Sequence, residues 1–100
     1  MKRRQILYTA EAATDLDAIY DLIAEGSDPR VAVRYEQRIR TFCDALEYGA
    51  ERGSLRDDVR PGLRIIGLER RVTVAFTVEG ERVVILRIFY RGRDWGSALR

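Results

Sequence analysis

The chain of 100 residues contains no histidine. That absence removes the side chain most often used as a general acid or base near neutral pH, and the commonest metal ligand. Catalytic arrangements of the Ser-His-Asp or Cys-His kind cannot be assembled from this chain alone. Any chemistry would have to run on arginine, tyrosine or carboxylates. A single cysteine, Cys43, excludes an internal disulfide and any multi-cysteine metal site. Long apolar runs are missing as well. The longest strongly apolar stretch is Val83 to Leu86, far below the roughly 20 residues of a membrane-spanning helix. The basic start Met1-Lys2-Arg3-Arg4 is followed by no apolar stretch of signal-peptide length. The expectation is a cytoplasmic protein with no membrane segment, no cofactor and no metal.

Lysine is nearly absent too: of 18 basic residues, Lys2 is the lone lysine and the other 17 are arginine. Residues 1–50 carry 7 basic and 9 acidic side chains, whereas residues 51–100 carry 11 and 7. Arginine presents a planar fork suited to phosphates and carboxylates, so a basic C-terminal half suits an anionic partner, either nucleic acid or an acidic protein. The same composition also fits an arginine-biased, solvated mixed-charge surface. An apolar fraction of 46% with 34% charged residues is that of an ordinary globule rather than a disordered chain. The length predicts one domain over residues 1–100.

Periodicity supplies the architecture. Gln5 to Tyr8 reads as a short strand. Thr9 offers a helix N-cap with Glu11 in the first turn, and Leu16, Ile19, Tyr20 and Ile23 repeat at helical spacing. Asp15, Asp17, Asp21 and Glu25 fall mostly off that stripe, and Gly26 ends the helix. Asp28-Pro29 starts a second helix, with the stripe Ala32, Tyr35, Ile39, Phe42, Cys43 and Leu46 and a stop at Gly49. Glycine, proline and charge make residues 49–62 a loop. The period then changes to two. Leu63 to Leu68 is a strand, and Val72, Val74, Phe76 and Val78 alternate with Thr73, Ala75 and Thr77 in another. Glu79-Gly80-Glu81 forms a turn. Val83 to Tyr90 is apolar on both faces, hence a central or covered strand. The order is β-α-α-β-β-β, an α+β fold with a helical hairpin packed on a small, mostly antiparallel sheet.

Three segments carry a resemblance that spans nearly the whole chain. They are Tyr8-Thr9-Ala10-Glu11-Ala12 with Asp15-Leu16 and Ile19-Tyr20, then Arg56 to Arg64 with Pro61-Gly62 at its turn, and Arg87-Ile88-Phe89-Tyr90-Arg91-Gly92-Arg93-Asp94-Trp95. In this order they resemble the RelE/ParE toxin superfamily of type II toxin–antitoxin systems, on its ParE-like branch. The resemblance implies a toxin that inhibits DNA gyrase and is neutralised by a ParD-like antitoxin. Operator DNA would be met only through the antitoxin. It also admits two alternatives: a ribosome-dependent mRNA interferase of RelE type, and an inactive toxin that acts only by binding its antitoxin.

Metal-free RNA cleavage needs a base, positive charge at the phosphorane and an acid for the leaving oxygen. The residues available for it are Arg64 and Arg87 for charge and Tyr90 as acid, and many relatives carry histidine where Tyr90 stands. Strict alternation places Arg87 with Val83, Ile85 and Phe89, opposite Leu86, Ile88 and Tyr90, which weakens a joint role. For target or antitoxin binding the candidates are Arg56, Arg60, Arg64, Arg87, Arg91, Arg93 and Trp95. The arginines line one basic edge of the sheet or pair with Asp57, Asp58 and Asp94. Trp95 caps the core or anchors a partner. Arg87 is the arginine most expected to have a task, since a cation in an apolar strand is costly unless paired or used.

Overall fold

The computed structural model describes residues 3–91 and 95–99. Its elements are β1 (Gln5–Tyr8), α1 (Ala10–Gly26), α2 (Pro29–Asp44) with a 3-10 turn at Ala45–Glu47, β2 (Ser54–Leu55), β3 (Arg64–Leu68), β4 (Val72–Glu79), β5 (Arg82–Tyr90) and α3 (Trp95–Leu99). The sheet runs β1-β5-β4-β3-β2, with β1 parallel to β5 and every other pair antiparallel. The expected order holds, with two additions. Ser54 and Leu55 of the long loop pair as a two-residue edge strand, and the tail winds into the five-residue α3. Both are too short for periodicity to mark them.

Both helix starts follow the local chemistry. The Thr9 hydroxyl accepts from the Ala12 N–H at 3.0 Å and donates to the Leu86 carbonyl at 2.8 Å, so the cap also ties α1 to β5. Asp28 accepts from the Arg30 N–H at 2.7 Å, with Pro29 at the first helical position. Gly80 adopts φ 64° at the first position of the two-residue loop joining β4 to β5, as a hairpin turn of this type requires.

Two cores form, one on each face of the sheet. Fourteen buried residues lie on the helix side, including Leu16, Ile39 and Leu46 against Val74, Phe76 and Ile85. Leu63, Ala75, Phe89 and Leu99 make a smaller one on the back, with Val59, Ile65, Leu86 and Trp95 packed around it. Burying one such large apolar side chain contributes about 1.5–3 kcal/mol, so the helix-side core carries most of the stability.

The register of β5 contains the feature that alternation missed. Phe76 pairs with Ile85 but Ala75 pairs with Arg87, leaving Leu86 as a bulge. The extra residue reverses the facing of everything after it. Val83 and Ile85 therefore share the helix side with Ile88 and Tyr90, while Leu86 and Phe89 pack on the back. Arg87, opposite Ala75, faces the back with Phe89. The expected grouping of Arg87 with Val83 and Ile85 is thus corrected, although Arg87 and Tyr90 do lie on opposite faces.

Cys43 lies at 0% exposure in the helix-side core, and burial pushes its thiol up to about 12. The folded state therefore holds a proton that the unfolded thiol releases near its ordinary value of 9.0. This contribution to stability is complete below pH 9 and is lost as pH rises toward 12, at up to about 1.4 kcal/mol per pH unit. Two results are expected: a Cys43→Ala variant loses less stability than the parent between pH 9 and 10.5, and a thiol reagent at pH 8 labels the folded protein no faster than it opens.

Candidate functional site

β1 stops at Tyr8, so β5 has an open edge beyond Ile85, and the first turns of α1 close it. Asp15 reaches over that edge. Its carboxylate accepts from Arg87 Nε at 2.8 Å, from Arg87 Nη2 at 3.0 Å and from the Ile88 backbone N–H at 2.9 Å. The Arg87 guanidinium also stacks 5.0 Å from the Phe89 ring centroid. Hydrogen bonding to Asp15 raises the pKa of Arg87 further and so fixes its charge. Asp15 is 8% exposed, the one buried charged residue among the described residues. Its assignment off the apolar stripe of the helix is corrected: it follows Ala12 by three and precedes Ile19 by four, which places it on the inner face.

The cleft beside this pair has a volume of about 370 Å³. Arg60 and Arg87 face it with Thr9, Glu11, Leu86 and Leu99. Two cations at the start of a 17-residue helix create a field that attracts anions, and Glu11 opposes it. Arg56 is held nearby by a bidentate pair with Asp58, both bonds 2.9 Å, and lies 4.9 Å over the Trp95 ring. The Arg56–Asp58 pair is largely solvated and adds little stability. Trp95 is half-buried at the start of α3 and packs on the back core, one of the two roles open to it. Asp57 has a different task, accepting from the Gly62 N–H at 2.8 Å within the turn.

The remaining arginines lie elsewhere. Arg64 pairs in register with Phe76 on the helix side and donates to the Glu51 carbonyl at 3.1 Å. Arg91 follows β5 with φ 57° and sits 5.3 Å over the Tyr90 ring, at the far end of the hairpin. Arg93 lies outside the described residues, as do Gly92 and Asp94. The expected basic edge is therefore divided: Arg56, Arg60 and Arg87 gather on the back with Trp95, Arg64 faces the helices, and Arg91 occupies one end. Strand alternation without the register could not separate these places.

Arg64, Arg87 and Tyr90 do not converge. Arg64 and Tyr90 both face the helices but oppose Phe76 and Val72, roughly 13 Å apart along β4 at about 3.3 Å per residue. Arg87 is on the other face. Tyr90 instead packs edge-on against Tyr35, with centroids 6.0 Å apart at 74°. Among the described residues no three His, Cys, Asp or Glu side chains are grouped to hold a metal ion, and no helix is long and apolar enough to cross a membrane.

Similarity to known proteins is extensive. The family described as the ParE toxin of the type II toxin–antitoxin system parDE matches residues 6–95. Toxin ParE3 of Caulobacter vibrioides is 32% identical over 84 residues, which are 84% of this chain and 83% of that protein. A solved structure described as the chromosomal ParDE TA system from P. aeruginosa matches with a TM-score of 0.77 at 35% identity, over 88% of this chain and 96% of that one.

Proposed function

We propose, for a chain that belongs to the ParE toxin family of type II toxin–antitoxin systems, that its target is DNA gyrase and that a ParD-like antitoxin holds it inactive. The observation that carries the choice of target is the separation of Arg64, Arg87 and Tyr90 onto different faces and ends of the sheet. Metal-free cleavage of RNA needs its acid, base and phosphorane-stabilising charge around one phosphate. Binding to a protein–DNA machine makes no such demand. A basic surface with a stacked Arg56–Trp95 pair and the Arg60–Arg87 cleft suits it. The cytoplasm, where gyrase works, is the compartment this reading requires, and operator DNA is reached through the antitoxin.

The antitoxin half of the proposal draws on the P. aeruginosa relative, which was solved as a ParDE system, and on the net positive charge of this chain, +2 at pH 7. An acidic partner associates faster with such a surface and pairs its cations. The test adds the purified toxin to a gyrase supercoiling reaction and to translating ribosomes. Stabilised cleaved DNA with intact mRNA is the expected result. Cleaved mRNA with unaffected gyrase would replace this reading by that of an mRNA interferase. Inactivity in both, without growth arrest on expression, would leave a protein whose task is antitoxin binding.

A further inference from the structure

A second cavity opens at the end of the helical hairpin, where the last turn of α1 and the first turns of α2 meet the start of β4 and the end of β5. Its volume is about 510 Å³. One wall is apolar: Leu22 and Val31 are 53% and 39% exposed there, unusually open for such side chains, with Ile23 beside them. The other wall holds Arg71 and Arg91, whose backbones are joined by an Arg91 N–H to Arg71 carbonyl bond of 2.7 Å. Among the described residues neither guanidinium has a carboxylate partner and no acidic side chain lines the cavity. The clefts at Arg60 and at Arg3–Arg4 differ in that respect, since each contains a carboxylate.

Tyr35 lines the same cavity. It is 9% exposed, and its hydroxyl is buried with no hydrogen-bond partner among the described residues. Buried hydroxyls are almost always paired, and an unpaired one is destabilising. Burial raises the phenol's pKa, so the group stays protonated and can donate. With Arg71 and Arg91 adjoining it, the missing complement is an acceptor that carries negative charge.

We infer that this cavity is an anchoring subsite for an acidic, apolar segment of the antitoxin, in which an aliphatic side chain covers Leu22 and Val31, a neighbouring carboxylate pairs with Arg71 and Arg91, and the shift of those two side chains toward it uncovers the Tyr35 hydroxyl as its third donor. The inference rests on the reading above that an antitoxin neutralises this chain. Charge complementarity selects the occupant: among the described residues the cavity holds two cations and a donor and no acid. A second copy of this chain would have to bring an exposed carboxylate beside an aliphatic side chain to fit it equally well.

The experiment measures binding of the cognate ParD-like antitoxin to the full-length toxin and to three variants. Tyr35→Phe removes the hydroxyl alone. It is expected to leave the melting temperature of the free toxin unchanged or raise it by a few degrees, while weakening the complex about tenfold, as loss of a hydrogen bond to a charged group does. Those opposite signs are not what a structural hydroxyl would give. Arg71→Gln/Arg91→Gln should weaken binding further and flatten its dependence on salt. Arg52→Gln/Arg82→Gln makes the same change in net charge; Arg82 starts β5 while Arg91 follows its end, about 30 Å along the strand direction, and this pair should bind nearly as wild type. Wild-type affinity in Tyr35→Phe and in Arg71→Gln/Arg91→Gln would overturn the subsite and leave the antitoxin reading standing. Equal losses in both arginine pairs would reduce it to general charge attraction and overturn it, as would a clear fall in the melting temperature of free Tyr35→Phe. An antitoxin that fails to bind wild type would remove the reading and the inference together.

Discussion

Replacing Asp15 with alanine is expected to destabilise the fold by about 3 kcal/mol, the lower end of the range for breaking one side of a buried ion pair. The lower end applies because Asp15 is buried while the Arg87 side chain is 23% exposed and keeps some contact with water. Three hydrogen bonds end on the one carboxylate, two from Arg87 and one from the Ile88 N–H. Alanine strands a guanidinium beside an apolar strand and a backbone donor on the open edge of β5. For a domain of this size the melting temperature should fall by on the order of 10–20 °C. Asp15→Asn keeps an acceptor for the backbone donor and should cost less. Asp15→Leu/Arg87→Met removes both charges and should recover much of the loss, though not all, since Ile88 still lacks its acceptor at about 1 kcal/mol or more. Thermal and urea unfolding of these variants provides the check. A loss below 1 kcal/mol in Asp15→Ala would mean that solvent screens the pair and that another contact holds α1 to β5.

The second large effect is at Gly53, and it is local. A Cβ built there would stand 2.4 Å from the Ile65 carbonyl oxygen and 3.0 Å from its carbon, and the residue has φ 77°. The left-handed conformation alone costs an alanine about 1 kcal/mol. The clash is with backbone, which cannot swing aside, so β2 must leave β3. That escape bounds the total, because β2 pairs through two residues and ends in the Arg56 N–H to Leu63 carbonyl bond of 2.7 Å. Gly53→Ala should therefore cost about 2–3 kcal/mol, a lost short strand plus strain. The amide of Arg56 should lose protection from hydrogen exchange while the β4–β5 amides keep theirs. Gly62 makes the comparison clean: its φ is also 77°, yet nothing lies within 4 Å of the added carbon. Gly62→Ala should lose only the conformational term of about 1 kcal/mol. Equal losses at the two glycines would show that β2 shifts freely, and the close approach would then be of no consequence.

Much of this molecule could be read from one dimension. Thr9, Asp28 and Pro29 set the helix starts, Leu16–Ile19–Ile23 and Ala32–Tyr35–Ile39 set their inner faces, and alternation from Val72 to Val78 set β4. Each of these signals is complete within a few residues, because caps, periods and turns depend on neighbours along the chain. Arg87 belongs to the same class in part: an arginine in an apolar strand announces that it has a partner, though not which one. The partner lies 72 residues away. Tertiary structure decided that pairing, since it depends on where β1 stops and on which turn of α1 covers the edge left open. The bulge at Leu86 decided which side Arg87 faces, and a one-residue change of register reverses a strand's faces without altering its composition. The unbulged register of β3 on β4 turned Arg64 to the helices, and the loop before β3 left Arg56 and Arg60 on the back, so one basic half of the sequence became several separate places. Tyr35 belongs to both accounts. Its spacing made it a core residue, but only the packing of Tyr90 against its ring and of Arg71 and Arg91 around the cavity left its hydroxyl buried and without a partner among the described residues.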